Sequence, residues 1–144
     1  RLEIARTCGA DLGLNPRRVD VVDEVLKLTD GYGCDVYIEA TGHPTAVQQG
    51  LDMIRRLGTF VEFSVMREPV TVDWTIIGDL KELNIHGSHL SPYCYPIAID
   101  MLAKGLLPMD QIITHTLPLA DFEAGIEMVH RGTESIKVAL TPHG

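Results

Sequence analysis

No apolar run in this sequence approaches the ~20 residues that span a bilayer as a helix, and no charged n-region leads into an apolar h-region at its start. A membrane partner is therefore not expected, and the cytoplasm is the expected compartment. Charge of one sign never dominates five or six residues in a row, and 12 Lys+Arg stand against 20 Asp+Glu for a net charge of −8. Nucleic acid is accordingly not an expected partner either. Cysteine is scarce: Cys8, Cys34 and Cys94 form no C-x-x-C pair, which suits reduced thiols in a reducing compartment. The histidines (His43, His86, His89, His115, His130 and His143) are scattered, and none stands at ligand spacing from a Cys, Asp or Glu. No metal site is expected within this chain.

Several chemical signatures are missing as well. Gly87-Ser88-His89 invites a hydrolase reading, but there is no G-x-S-x-G. No G-x-x-x-x-G-K-[ST] occurs, and no complete G-x-G-x-x-G follows a strand. Gly31-Tyr32-Gly33 comes after a helical pattern and before a strand, the wrong order for a phosphate cradle. An initiating Met is also absent: the chain opens on Arg1 inside a helical stripe of Leu2, Ala5 and Cys8 stopped by Gly9, and so reads as a segment of a longer protein.

What is present is an ordinary globular composition, 45% hydrophobic and 22% charged over 144 residues, with strand-like and helical stretches in alternation. That alternation predicts βαβ units around a parallel sheet. Ala10 to Asn15 reads as a brief strand or extended turn, Val19 to Thr29 as a helix ended by Asp30-Gly31, and Cys34 to Ala40 as a strand. Pro44 opens a helix whose stripe of Val47, Leu51, Ile54 and Leu57 predicts an end at Gly58. Thr59 to Val65 is a nearly continuous apolar run, as in a central strand buried on both faces. Trp74 to Leu83 fits a helix tolerably, Asn84 to His89 a strand, and Pro96 to Leu106 a helix. The last third reads as strand (Ile112 to Leu117), helix (Asp121 to His130, the histidine suiting the helix dipole) and strand (Ser135 to Leu140). The sum is an α/β fold, an open and mainly parallel doubly wound sheet with an appended strand-helix-strand unit.

Such sheets bind ligands beyond the carboxyl ends of their strands. Three successive strand ends there carry small or polar residues: Thr41-Gly42-His43, then Ser64, Val65 and Met66, then Ser88, His89 and Leu90. Each alone is an ordinary strand-to-helix turn; together they suit one shared cleft. Glu39 is a carboxylate within a strand, and either a buried partner or an open strand edge accounts for it.

Five segments, LEIARTCGAD, GCDVYIEATG, IRRLGTFVEFSV, KELNIHGSHL and LPLADFEAGIEMVHRGTESIKVALTP, give the whole chain a pattern that resembles the C-terminal part of the zinc-dependent medium-chain dehydrogenase/reductases, on their polyol and threonine dehydrogenase branch. The resemblance implies a Rossmann-like NAD or NADP domain truncated at its N-terminus, covering residues 1–109, with 110–144 returning to the catalytic domain. It implies that Thr41 and Gly42 lie beside the cofactor, and that Ser64, Val65 and Met66 contact its nicotinamide end through their backbone. Ser88, His89 and Leu90 would line the cleft near nicotinamide and substrate, and Lys137 would reach the pyrophosphate. A solvated strand lysine is the equal alternative for Lys137. The parent would pass a hydride from a small secondary alcohol to NAD(P)+, with catalytic zinc ligands supplied upstream and none here, and would be a homo-oligomer. The chain by itself would be inactive, and its last strands would show unpaired edges. A zinc-free reductase of quinone or enoyl type and a non-enzymatic, self-associating module are the alternatives.

Overall fold

A computed structural model describes residues 1–90 and 92–142 as a mixed α/β chain with parallel strands; His143 lies outside the described residues. In chain order the elements are α1 (Leu2–Thr7), α2 (Val21–Leu28), β1 (Cys34–Glu39), α3 (Pro44–Met53), β2 (Ile54–Glu62), β3 (Asn84–Gly87), α4 (Tyr95–Ala103), α5 (Met109–Ile112), β4 (Ile113–Pro118), α6 (Phe122–Arg131) and β5 (Lys137–Thr141). Among the described residues no helix is long and apolar enough to cross a membrane. The chain divides into two compact units, one contiguous from Leu14 to Pro92 and one combining Arg1–Gly13 with Tyr93–Gly144.

In the contiguous unit, α2 starts where the Asp20 carboxylate accepts from the Val22 and Asp23 amides at 3.0 and 3.1 Å. It stops at Thr29, whose hydroxyl donates to the Val25 carbonyl at 2.8 Å and accepts from the Gly33 amide at 2.9 Å, turning the chain into β1. The strands pair in the order β1-β2-β3, all parallel. The core gathers under α3: Leu51, Ile54 and Phe60 are buried, with Tyr37, Val47, Val72, Ile76, Ile77 and Leu83 packed against them. Tyr37 closes this core, its ring 5.2 Å from that of Phe60 and its hydroxyl donating to the Ala46 carbonyl at 2.8 Å. Burial, helped by the charge of Glu39, pushes this phenol up to about 12, so it stays a donor.

Gly50 lets α3 lie on that ring, since a Cβ there would come within 2.3 Å of Tyr37 Cε1. Gly-to-Ala changes inside helices ordinarily gain up to about 1 kcal/mol. Gly50→Ala is expected to reverse that sign and cost about 1–3 kcal/mol through overpacking. Urea denaturation of the two proteins measures it, and a gain in stability would contradict the packing described.

Four expectations about the elements are corrected. Ala10 to Asn15 forms no strand but an irregular passage. The helix opened by Pro44 ends at Met53 rather than near Gly58, because Ile54 is already extended and Leu57 takes a left-handed φ of 57° that no helix continues. Trp74 to Leu83 is not a helix: a single 3-10 turn at Trp74–Ile76, capped by Asp73, gives way to further turns. Its apolar residues reach the core from those turns. Finally, β2 is central but not buried on both faces; Phe60 is buried while Thr59 and Val61 are half-buried.

The second unit is built on β4-α6-β5. The two strands pair in parallel and α6 crosses between them; a Cβ added at its buried Gly125 would stand at ordinary contact distance, 3.5 Å, from Leu117, Val138 and Leu140. Gly132, at φ 62°, ends α6, and His130 and Arg131 occupy its last turn. As a two-stranded sheet, β4 and β5 each keep one unpaired edge among the described residues. Arg1 joins this unit by donating from Nη2 to the Ser135 carbonyl at 2.9 Å.

Candidate functional site

Register decides which residues meet at the carboxyl end of the sheet. Glu39 pairs with Glu62 and Glu62 with Gly87, so the three strands of the contiguous unit finish in one row. The predicted residues therefore follow adjacent strand ends: Thr41 and Gly42 after β1, Ser64, Val65 and Met66 after β2, Ser88, His89 and Leu90 after β3. The backbone ladder runs on beyond the strands, with the Phe63 amide donating to the Glu39 carbonyl at 2.9 Å and the Ser88 amide to the Glu62 carbonyl at 3.0 Å.

The first two turns touch. Gly42 sits at φ 68°, and a Cβ there would stand 2.5 Å from the Val65 carbonyl oxygen, so only glycine permits this approach. Val65 and Leu90 are 88% and 81% exposed, apolar side chains presented at two neighbouring strand ends. Met66 is half-buried, and Ser88 and His89 are exposed. Lys137 belongs to the other unit, where it is exposed on β5 opposite Ile113.

The residue that organises the row is Glu39, which is 0% exposed. Its open-edge explanation is thereby excluded. One carboxylate oxygen accepts from the Thr41 amide at 2.8 Å and the Thr41 hydroxyl at 2.5 Å; the Gly42 amide lies 3.2 Å from both oxygens. The other oxygen takes a hydrogen bond from the Ser64 hydroxyl. Ser64 is held in turn by Glu62, whose Oε1 accepts from the Ser64 amide at 3.2 Å and lies 2.9 Å from its hydroxyl oxygen. Burial by itself would raise the Glu39 carboxyl, but the hydrogen bonds from Ser64, Thr41 and Gly42 outweigh it and hold the group below the ordinary range of a glutamate. It is a permanent anion at neutral pH. The signal in the sequence was a charged residue within an apolar strand, two positions before Thr-containing Thr41-Gly42; its partner Ser64 could not be read locally.

Thr41 passes the network on. Its hydroxyl accepts from the His43 amide at 3.1 Å, and His43 caps α3, its Nδ1 accepting from the Thr45 amide at 3.4 Å and lying 2.8 Å from the Thr45 hydroxyl. His43 is thus an exposed helix cap.

The row sets the buried Gly42 turn beside the exposed apolar side chains of Val65 and Leu90. It does not suit a metal, for among the described residues no group of three His, Cys, Asp or Glu side chains could hold one.

Comparison with known proteins identifies the family. Residues 1–104 match the family model described as zinc-binding dehydrogenase. The chain is 52% identical over 142 residues to an erythritol/L-threitol dehydrogenase of Mycolicibacterium smegmatis, covering 99% of this chain and 39% of that protein. It is 35% identical over 144 residues to an L-threonine 3-dehydrogenase of Bacillus velezensis, covering 99% and 41%. Among solved structures, an alcohol dehydrogenase of Thermotoga maritima superposes with a TM-score of 0.82 at 30% identity, over 99% of this chain and 40% of that one. A short chain alcohol dehydrogenase of E. coli CFT073 complexed with NADH gives 0.82 at 28% identity, over 97% and 41%. The chain thus spans about two fifths of the length of the relatives it matches.

Proposed function

The chain belongs to the zinc-binding dehydrogenases, and from that premise we propose that it forms the nicotinamide-dinucleotide side of an enzyme oxidising a small secondary alcohol of polyol type. The observation that carries the reading is the row of strand ends, where Gly42 lies against the Val65 carbonyl with exposed apolar side chains beside it. The dinucleotide, NAD or NADP, supplies the hydride acceptor when bound. Thr41 and Gly42 would lie beside it, and Ser64, Val65 and Met66 would meet its nicotinamide end through backbone groups. Ser88, His89 and Leu90 would wall the cleft toward the substrate. Relatives named for erythritol, threitol and sorbitol support the polyol class.

Zinc ligands would come from outside this chain, whose described residues offer no ligand set. The division at residue 109 is part of the same reading, with 110–144 belonging to the catalytic domain; the family match ending at residue 104 and the separate β4-β5 sheet support it. We place the enzyme in the cytoplasm, as a homo-oligomer. The description of the matched family and the dehydrogenase names of the relatives favour this reading over a zinc-free reductase or a self-associating module.

Titration of NADH and NADPH into the isotopically labelled chain tests the proposal. Amide shifts are expected at Thr41, Gly42, Ser64, Val65, Met66, Ser88, His89 and Leu90, with weak affinity and no alcohol oxidation by the chain alone. Shifts confined to other residues, or turnover of an alcohol by these 144 residues, would overturn it.

A further inference from the structure

Glu39 stands at the site without being able to take part in its chemistry. It has no exposed surface, and both of its oxygens are engaged by Thr41, Gly42 and Ser64. A carboxylate in that position has no route to a substrate proton. What its bonds do is join two turns. Thr41 and Gly42 follow β1, Ser64 follows β2, and between those turns Gly42 is pressed against the Val65 carbonyl.

We infer that Glu39 is a positioning residue, its buried carboxylate clamping the turn after β1 to the turn after β2 so that the ligand meets Gly42 and Val65 at one fixed separation. The inference rests on the dinucleotide reading above and adds to it a residue that touches no ligand. Three features of the network fit a clamp. The bonds to Thr41 and Gly42 go to main-chain amides, so they fix the path of the chain rather than a rotamer. The bond across to Ser64 is the one side-chain link between the turns among those that Glu39 makes. Through Thr41 and His43 the same network reaches the first turn of α3, so the turn after β1 is held at both ends.

Chemistry also explains why an acid is needed. A carboxylate accepts on every side and can serve two amides and two hydroxyls together. A glutamine would turn an NH2 group toward the Gly42 amide or the Ser64 hydroxyl, and an aspartate, one methylene shorter, would lose one turn or the other.

The test uses the full-length dehydrogenase carrying this segment and the variants Glu39→Gln, Ser64→Ala and the pair. For Glu39→Gln, KM for the dinucleotide is expected to rise about tenfold, as befits losing charge-assisted hydrogen bonds that order a binding turn, while kcat at saturating dinucleotide stays within about twofold. Ser64→Ala is expected to raise the same KM by a smaller factor. The pair should be no worse than Glu39→Gln alone, because both act through one bond. Should Glu39→Gln fail to fold, Ser64→Ala carries the test, since it deletes one hydroxyl from the same clamp. An unchanged KM for the dinucleotide in a folded variant overturns the inference. So does a fall in kcat at constant KM, or full additivity in the pair. A wild-type enzyme that binds no dinucleotide instead overturns the reading beneath it, and the inference with it.

Discussion

Replacing Glu39 by alanine is expected to lower the unfolding free energy by about 2–4 kcal/mol. The change leaves the buried Gly42 amide without its acceptor, at about 1–3 kcal/mol before relaxation, removes the acceptor of the exposed Thr41 amide and hydroxyl, and leaves Ser64 only Glu62 to bond. Urea denaturation at neutral pH measures the loss. Its pH dependence has a definite sign. Because the folded carboxyl titrates below its unfolded value, its contribution is complete above the unfolded pKa of about 4.3 and disappears as pH falls through the folded one. The gap between wild type and Glu39→Ala should therefore be flat from neutrality down to about pH 5 and close only in stronger acid. A gap that already narrows near pH 6 would mean that burial, and not the hydrogen bonds, governs this group.

Lys81→Met is expected to cost about 2–3 kcal/mol. The Lys81 ammonium donates to the carbonyls of Leu51, Asp52 and Ile54 at 2.6, 2.9 and 2.8 Å, three acceptors at the C-terminal end of α3. A helix end needs donors there, and a cation at that end also complements the helix dipole. α3 has no left-handed glycine cap to take over, as its chain turns directly into an extended Ile54. Methionine keeps the length and apolar stem of lysine, so the variant isolates the ammonium. Hydrogen exchange locates the damage: the last turn of α3 and the first residues of β2 should lose protection, whereas α6 should not. Equal loss throughout the chain would sink the assignment of Lys81 as the cap.

These two residues also mark where sequence reasoning reached its limit. Pro44 gave the start of α3, because its ring presets the first helical φ and removes a donor that would go unpaired. The end of α3 was set by Lys81, far along the chain, and by the left-handed φ of Leu57, which no local pattern announces. Ile54 and Leu57 fit a helical stripe, yet Ile54 reaches the core from a strand. The same ambiguity misled over Trp74 to Leu83. Ile76, Ile77 and Leu83 are spaced for a helix face but meet the core from consecutive turns, so periodicity recorded burial and not the path of the backbone. The row of strand ends was legible, since small and polar residues follow each of three apolar stretches and parallel pairing leaves them side by side. Glu39 was half legible. Its oddness was visible, but its burial depended on Ser64, and only the register of β1 on β2 brings the two together.

The division of the chain carries a consequence for biosynthesis. Leu14–Pro92 is one uninterrupted stretch, whereas Arg1–Gly13 shares its unit with residues from Tyr93 onward. Domains tend to fold as units while the polypeptide emerges from the ribosome, at about 5–20 residues per second. The stretch with the α3 core and the row of strand ends can therefore assemble as soon as it is released. Helix α1, though translated earlier, must wait until Ser135 arrives to receive the guanidinium of Arg1. The order of emergence and the order of assembly are thus reversed for Arg1–Gly13, and a nascent chain stalled just past Pro92 should already pair β1, β2 and β3 while Arg1–Gly13 still lacks its partners.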